Sequence, residues 1–101
     1  MEKRRPHYDL AKIKAAFADA ASLNRTYSSK QGADDLDMDD MVVVAAIQGL
    51  SGSDFDKSMT SMADLRIWQD AYQPSADGRK LYVKFTLDAR QALFLISFKG
   101  V

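Results

Sequence analysis

Lys80-Leu81-Tyr82-Val83-Lys84-Phe85-Thr86-Leu87 decides how this chain is read. Apolar and polar side chains alternate along it. Leu81, Val83, Phe85 and Leu87 point to one side, and Tyr82, Lys84 and Thr86 to the other, the period of a strand with one buried face. Just before it, Gln73-Pro74-Ser75-Ala76-Asp77-Gly78 is turn chemistry, with Asp-Gly as its sharpest signal. Upstream of the turn, residues 55–60 and 67–72 each read as a strand. Downstream, Asp88-Ala89-Arg90-Gln91 is a short connection to a last strand over residues 92–99. Phe94, Ile96 and Phe98 are expected on one face of that strand, with Ser97 and Lys99 on the other.

The first half of the chain has a different period. Residues 9–21 read as a helix. Asp9 is placed to cap it, and Leu10, Ile13, Phe17 and Ala20 form its apolar stripe. Residues 22–37 read less sharply: Arg25-Thr26-Tyr27-Ser28 suits a short strand, whereas Gly32 and the Asp run point to a loop or a short helical turn. Asp37 is a second N-cap candidate, with Asp40 in capping-box position. From there a helix is expected to about Gln48, with Met38, Met41, Val42, Ala45 and Ala46 on one face and Gly49 ending it. The run Val42-Val43-Val44 pulls toward strand.

Helices first and hairpin-linked strands after predict an α+β fold. N-terminal helices should pack on one face of a C-terminal antiparallel sheet. The 101 residues suit a single domain over 1–101. With no cysteine, disulfides and Cys-ligated zinc are excluded. The charged opening Met1-Glu2-Lys3-Arg4-Arg5-Pro6 has no apolar run behind it, so neither a signal peptide nor a membrane span is expected, and a cytoplasmic location is. The net charge of zero is unevenly spread. Residues 1–33 carry +4, residues 34–56 carry −7 and residues 57–101 carry +3. Such a chain can still turn a basic face to a polyanion.

Several chemistries have no support. Asp35, Asp37 and Asp39 begin like a calcium loop, but Asp40 and Ala46 stand where the loop needs Gly and Glu. His7 is the only histidine, and beside Pro6 it reads as a surface residue. There is no phosphate-binding Gly-rich loop. RNA cleavage without a histidine pair remains chemically open. A 2′-hydroxyl can attack its own phosphate while Lys, Arg or Tyr side chains hold charge and move protons. Tyr82, Lys84 and Lys99, all expected with Ser97 on the face away from the helices, suit that task. By pattern alone, the solvent side of a half-buried sheet is the commoner reading of such a face.

From Gly49 onward the chain resembles the MqsR family of toxin–antitoxin mRNA interferases. The resemblance is carried by Gly49-Leu50-Ser51-Gly52-Ser53-Asp54-Phe55-Asp56-Lys57-Ser58-Met59-Thr60, by Ile67-Trp68-Gln69-Asp70-Ala71-Tyr72-Gln73-Pro74, by Leu81-Tyr82-Val83-Lys84 and by Leu95-Ile96-Ser97-Phe98-Lys99. The opening Met1-Glu2-Lys3-Arg4-Arg5-Pro6-His7 also matches. The resemblance implies a RelE-like toxin fold and an endoribonuclease needing no metal and no cofactor, which cuts mRNA at short GC-containing sequences. It also implies a zinc-containing, MqsA-like antitoxin as partner, through which the pair acts on DNA at its own operon.

By motif the resemblance singles out Lys57, Gln69, Tyr82 and Lys99 as the catalytic group. Tyr82 is expected to transfer a proton or hold the reacting oxygens. Lys57 and Lys99 should stabilise phosphate charge, with Lys57 also a candidate base, and Gln69 should orient the 2′-hydroxyl or a base edge. Lys84 and Arg79 are the expected substrate contacts. Lys57 shares parity with Phe55 and Met59, and Gln69 with Ile67 and Ala71, so simple alternation does not bring them to the Tyr82 face without a bulge or bend. Asp56 stands where the family has Tyr, and is expected to repel phosphate or to pair with Lys57 and raise its pKa. Trp68 reads as core rather than as a base-stacking platform. A non-catalytic RNA- or protein-binding module on the same fold is the alternative.

Overall fold

A computed structural model describes all 101 residues. In chain order the elements are β1 (Glu2–Lys3), α1 (Leu10–Ala16), α2 (Tyr27–Asp35), α3 (Asp40–Gln48), β2 (Phe55–Thr60), β3 (Trp68–Tyr72), β4 (Ser75–Ala76), β5 (Arg79–Leu87) and β6 (Leu93–Gly100). The six strands form an antiparallel sheet in which β1, β2, β3 and β5 are successive neighbours, and both β4 and β6 pair with β5. The fold is α+β, as the change of period implies. The core lies between the helices and one sheet face. Ile13, Phe17, Ala33, Val43 and Ile47 meet Tyr72, Leu81, Val83, Phe85, Leu95 and Phe98 there.

The helices differ from expectation in their limits. Asp9 caps α1 by accepting from the Ala11 N–H, but the helix stops at Ala16 rather than running to 21. Asp19 is the cause. Its carboxylate accepts from both the N–H and the hydroxyl of Ser22, and this holds a separate 3-10 turn at Ala20–Ser22. Over 22–37, where a short strand at 25–28 and then a loop or short helical turn were expected, Arg25 keeps a single bridge to Leu95 and α2 forms over Tyr27–Asp35. Thr26 caps it through the Ser29 N–H, and the helix turns Ser29, Gly32 and Ala33 toward the sheet. α3 is capped by Asp39, not Asp37, which instead takes a positive φ of 57°. Its buried face is centred on Val43 and Ile47, and Met41, expected inside, is 75 % exposed. Gly49 ends the helix without entering the left-handed region, at φ −82°.

In the sheet, Asp77 and Gly78 take φ of 56° and 73° and join β4 to β5 in a tight hairpin, the turn that Asp-Gly favours. Two irregularities reset the faces. Between Phe55 and Lys57 the register against β3 slips, so Phe55 lies opposite Tyr72 while Lys57 lies opposite Ala71. In β6, Lys84 pairs with Ser97 but Phe85 with Leu95, leaving Ile96 as the extra residue of a bulge. Consequently Leu95 and Phe98 enter the core together, and Phe94 lies opposite Thr86 instead of sharing a row with Phe98.

Candidate active site

Side chains directly opposite one another on paired strands share a sheet face. Lys57 is opposite Ala71, Ala71 opposite Lys84, and Lys84 opposite Ser97. This is one row across four strands, on the face turned away from the helices. Adjacent strands lie about 4.8 Å apart, so the Lys57 and Lys84 backbones are separated by roughly 10 Å. Ala71 is fully buried yet stands outside the hydrophobic core, consistent with cover from the lysine stems on either side of it. A second row pairs Tyr82 with Lys99, and a third carries Glu2, Met59 and Gln69. The structure thus brings Lys57, Gln69, Tyr82, Lys84 and Lys99 to one open face. The slip at Asp56 delivers Lys57 there. Gln69 reaches it because Ala71, its neighbour in parity, also faces outward.

The face is electrostatically uneven. The Lys84 and Lys99 ammonium groups lie 5.6 Å and 5.7 Å from the centre of the Tyr82 ring, within cation–π reach. Burial pushes the Lys84 pKa below its ordinary 10.5, and the nearby positive charges of Lys99 and then Lys57 push it further the same way. Lys57 moves in the opposite direction. Its ammonium lies 3.1 Å from the Glu2 carboxylate, and the hydrogen bond and charge of Glu2 raise its pKa, with a smaller contribution from Asp56. Asp56 therefore acts on Lys57 in the expected direction, but Glu2 is its ion-pair partner. Burial raises the Tyr82 pKa above 10.0, opposed by Lys57 and reinforced by Asp56, so the phenol keeps its proton near neutral pH.

Arg79 is not among these groups. It shares parity with Leu81, and its guanidinium donates to the Leu36 carbonyl at 3.0 Å, at the end of α2. The alternation of β5 puts Lys80, rather than Arg79, on the side of Tyr82 and Lys84.

Glu2 was invisible to sequence reasoning because β1 is only two residues long and finds its place through a distant strand. On the other face of β3, Asp70 anchors the segment that follows. Its buried carboxylate accepts from the N–H groups of His7 and Tyr8, each at 2.9 Å, and from the Ser58 hydroxyl at 2.6 Å. His7 consequently stacks on Trp68 with ring centres 5.4 Å apart, and the Lys3 ammonium sits 4.2 Å from the Trp68 ring centre. Trp68 is half-buried under the N-terminal segment rather than part of the core.

The family model for the motility quorum-sensing regulator, toxin of MqsA, matches residues 5–100. The chain belongs to this family. The mRNA interferase toxin MqsR of Escherichia coli (strain K12) is 39 % identical over 99 residues, covering 98 % of each chain. The α+β architecture agrees with the RelE-like fold that membership in the MqsR toxin family implies. No helix of this MqsR-family chain is long and apolar enough to cross a membrane.

Proposed function

We propose that this protein is the toxin of a toxin–antitoxin pair, an endoribonuclease that cuts mRNA at short GC-containing sequences without a metal. One observation carries the proposal: Lys57, Gln69, Tyr82, Lys84 and Lys99 meet on a single open sheet face. An antitoxin of the MqsA type, zinc-containing and linking the pair to DNA, is the partner this reading requires.

The reaction needs only the RNA and these side chains. The 2′-hydroxyl oxygen attacks the adjacent phosphorus, forming the O2′–P bond as the P–O5′ bond breaks. Its proton passes to a base, and the departing O5′ takes a proton from an acid. Tyr82, which keeps its proton, is the acid. Lys57 is unsuited to be the base because Glu2 holds it protonated. Lys84, whose pKa is lowered, takes that role in its neutral form. Lys57 and Lys99 stabilise the charge gathering on the non-bridging oxygens, and Gln69 orients the 2′-hydroxyl.

A base must be unprotonated to act. Cleavage is therefore expected to rise with pH and level off below 10.5, the ordinary lysine value, because the Lys84 pKa is depressed. Arg at the same position stays protonated throughout, so Lys84→Arg should lower the rate by about 10²-fold and flatten the profile. Rate–pH profiles with mapped cut sites check this, since background alkaline hydrolysis cuts at every linkage. A parental profile in Lys84→Arg would remove Lys84 as the base.

The test of the function itself is cleavage of a defined mRNA in excess EDTA, with both product ends mapped. The expected products carry 2′,3′-cyclic phosphate and 5′-hydroxyl ends. RNA bound but left intact by the folded protein would favour a non-catalytic binding module, the reading to which the Glu2–Lys57 pair and Asp56 lend themselves.

A further inference from the structure

The open face does not end at β6. Residues 24–26 run along the outer edge of that strand: the Leu95 N–H donates to the Asn24 carbonyl at 2.9 Å, and the Thr26 N–H donates to the Leu95 carbonyl at 3.0 Å. α2 then continues beside β6, so close that a Cβ on Gly32 would stand 2.0 Å from the Phe98 carbonyl oxygen. A groove of about 430 Å³ lies between the helix and the strand, within the roughly 300–1,000 Å³ typical of small-ligand clefts. Its strand wall is Ser97, Phe98 and Lys99, of which Ser97 and Lys99 belong to the face of Tyr82 and Lys84. Its helix wall includes, beside Ser28 and Gly32, the residues Tyr27, Gln31 and Asp35, spaced four residues apart and so on one row of α2.

These helix residues serve no evident purpose in the fold. Tyr27 is 81 % exposed, a large aromatic in the first turn of a helix with its ring available. Its hydroxyl donates to the Gln31 side-chain oxygen at 3.3 Å, and the Gln31 amide donates to the Asp35 carboxylate at 3.1 Å. The three form a connected row of one aromatic face and several polar edge groups. Lys99 is the only cation in the groove, and Asp35 disfavours a phosphate inside it. Stacking combined with edge hydrogen bonding is how proteins hold an unpaired nucleobase.

We propose that this groove is a nucleobase subsite. The base of a nucleotide next to the scissile phosphate stacks on Tyr27 and hydrogen-bonds through its edge to Gln31 and Asp35, while Lys99 at the mouth keeps the phosphate on the reactive face. The subsite rests on the ribonuclease reading and extends it, since it makes α2 a determinant of which sequences are cut.

The test compares the full chain with its Tyr27→Ala, Tyr27→Trp and Gln31→Ala variants on a set of short RNAs that differ only in the nucleotides flanking the cut. Loss of one base stack is expected to raise KM for the preferred RNA about tenfold or more in Tyr27→Ala, with kcat within about twofold, the pattern of lost uniform binding. Tyr27→Trp should restore KM. Gln31→Ala should narrow the ratio of kcat/KM between preferred and other RNAs. Melting temperatures should not move, because both side chains are exposed. A Tyr27→Ala protein with parental KM and parental cut sites would overturn the subsite while leaving the ribonuclease reading standing, even if that variant bound a protein partner less well. A parental chain that cuts none of the RNAs would overturn the ribonuclease reading and the subsite with it.

Discussion

Lys57→Ala is expected to slow RNA cleavage by about 10²- to 10³-fold, the usual cost of removing one group aimed at charge that develops in the transition state. The fold should be indifferent to the change. The Lys57 side chain is 33 % exposed, and its partner Glu2 is 54 % exposed. Such a surface ion pair adds little to stability. What the ammonium does add is fixed charge at one end of the Lys57–Ala71–Lys84–Ser97 row. Losing it should reduce kcat more than RNA affinity, because Lys99 remains to hold the phosphate. Single-turnover cleavage beside a thermal melt checks both halves. An unchanged rate in a folded Lys57→Ala protein would take Lys57 out of the mechanism.

Asp70→Ala is expected to be the most damaging single change to the fold among the polar residues. The carboxylate is completely buried and receives the His7 N–H, the Tyr8 N–H and the Ser58 hydroxyl. Hydrogen bonds to a charged group contribute more than neutral ones, and donors left unpaired carry a desolvation cost, so a loss of about 3 kcal/mol follows. In a domain of this length that corresponds to a fall in Tm of more than about 10 °C. The damage should begin at the N-terminal segment. Hydrogen exchange at the His7 and Tyr8 amides should accelerate first, His7 should leave Trp68, and Glu2 should part from Lys57. Asp70→Asn should fall between the two, since one face of the new side chain presents a donor where an acceptor is needed. Calorimetry and amide exchange measure this, and a Tm within a few degrees of the parent would refute the role of Asp70 as anchor.

The candidate site was partly legible in advance. Tyr82 and Lys84 on β5, and Ser97 and Lys99 on β6, fall on the side away from the helices by alternation alone, and the structure keeps them there. Lys57 and Gln69 entered through resemblance, because counting by twos along β2 tied Lys57 to Phe55. The register slip between those residues breaks the count. Phe94 and Ile96 were misassigned for the same reason, one bulge later in the chain. α2 was expected as no more than a short helical turn, for a different reason. Helices are recognised by an apolar stripe, but this one packs through Ser29, Gly32 and Ala33 against the edge of a strand, where only small side chains let the two backbones approach.

By itself the sequence determined whatever a few neighbouring residues can decide. The alternation of β5, the Asp77-Gly78 hairpin and the Asp9 cap each follow from backbone preferences and local hydrogen bonds, and each stands in the structure. Tertiary structure alone decided the two register slips, the seating of α2 on β6, the Asp70 anchor and the Glu2–Lys57 pair. Each of these depends on groups far apart in the chain. A bulge is favoured only when shifting the register improves burial on one face, and a buried carboxylate is tolerated only when distant N–H groups arrive to satisfy it. No local period records either condition.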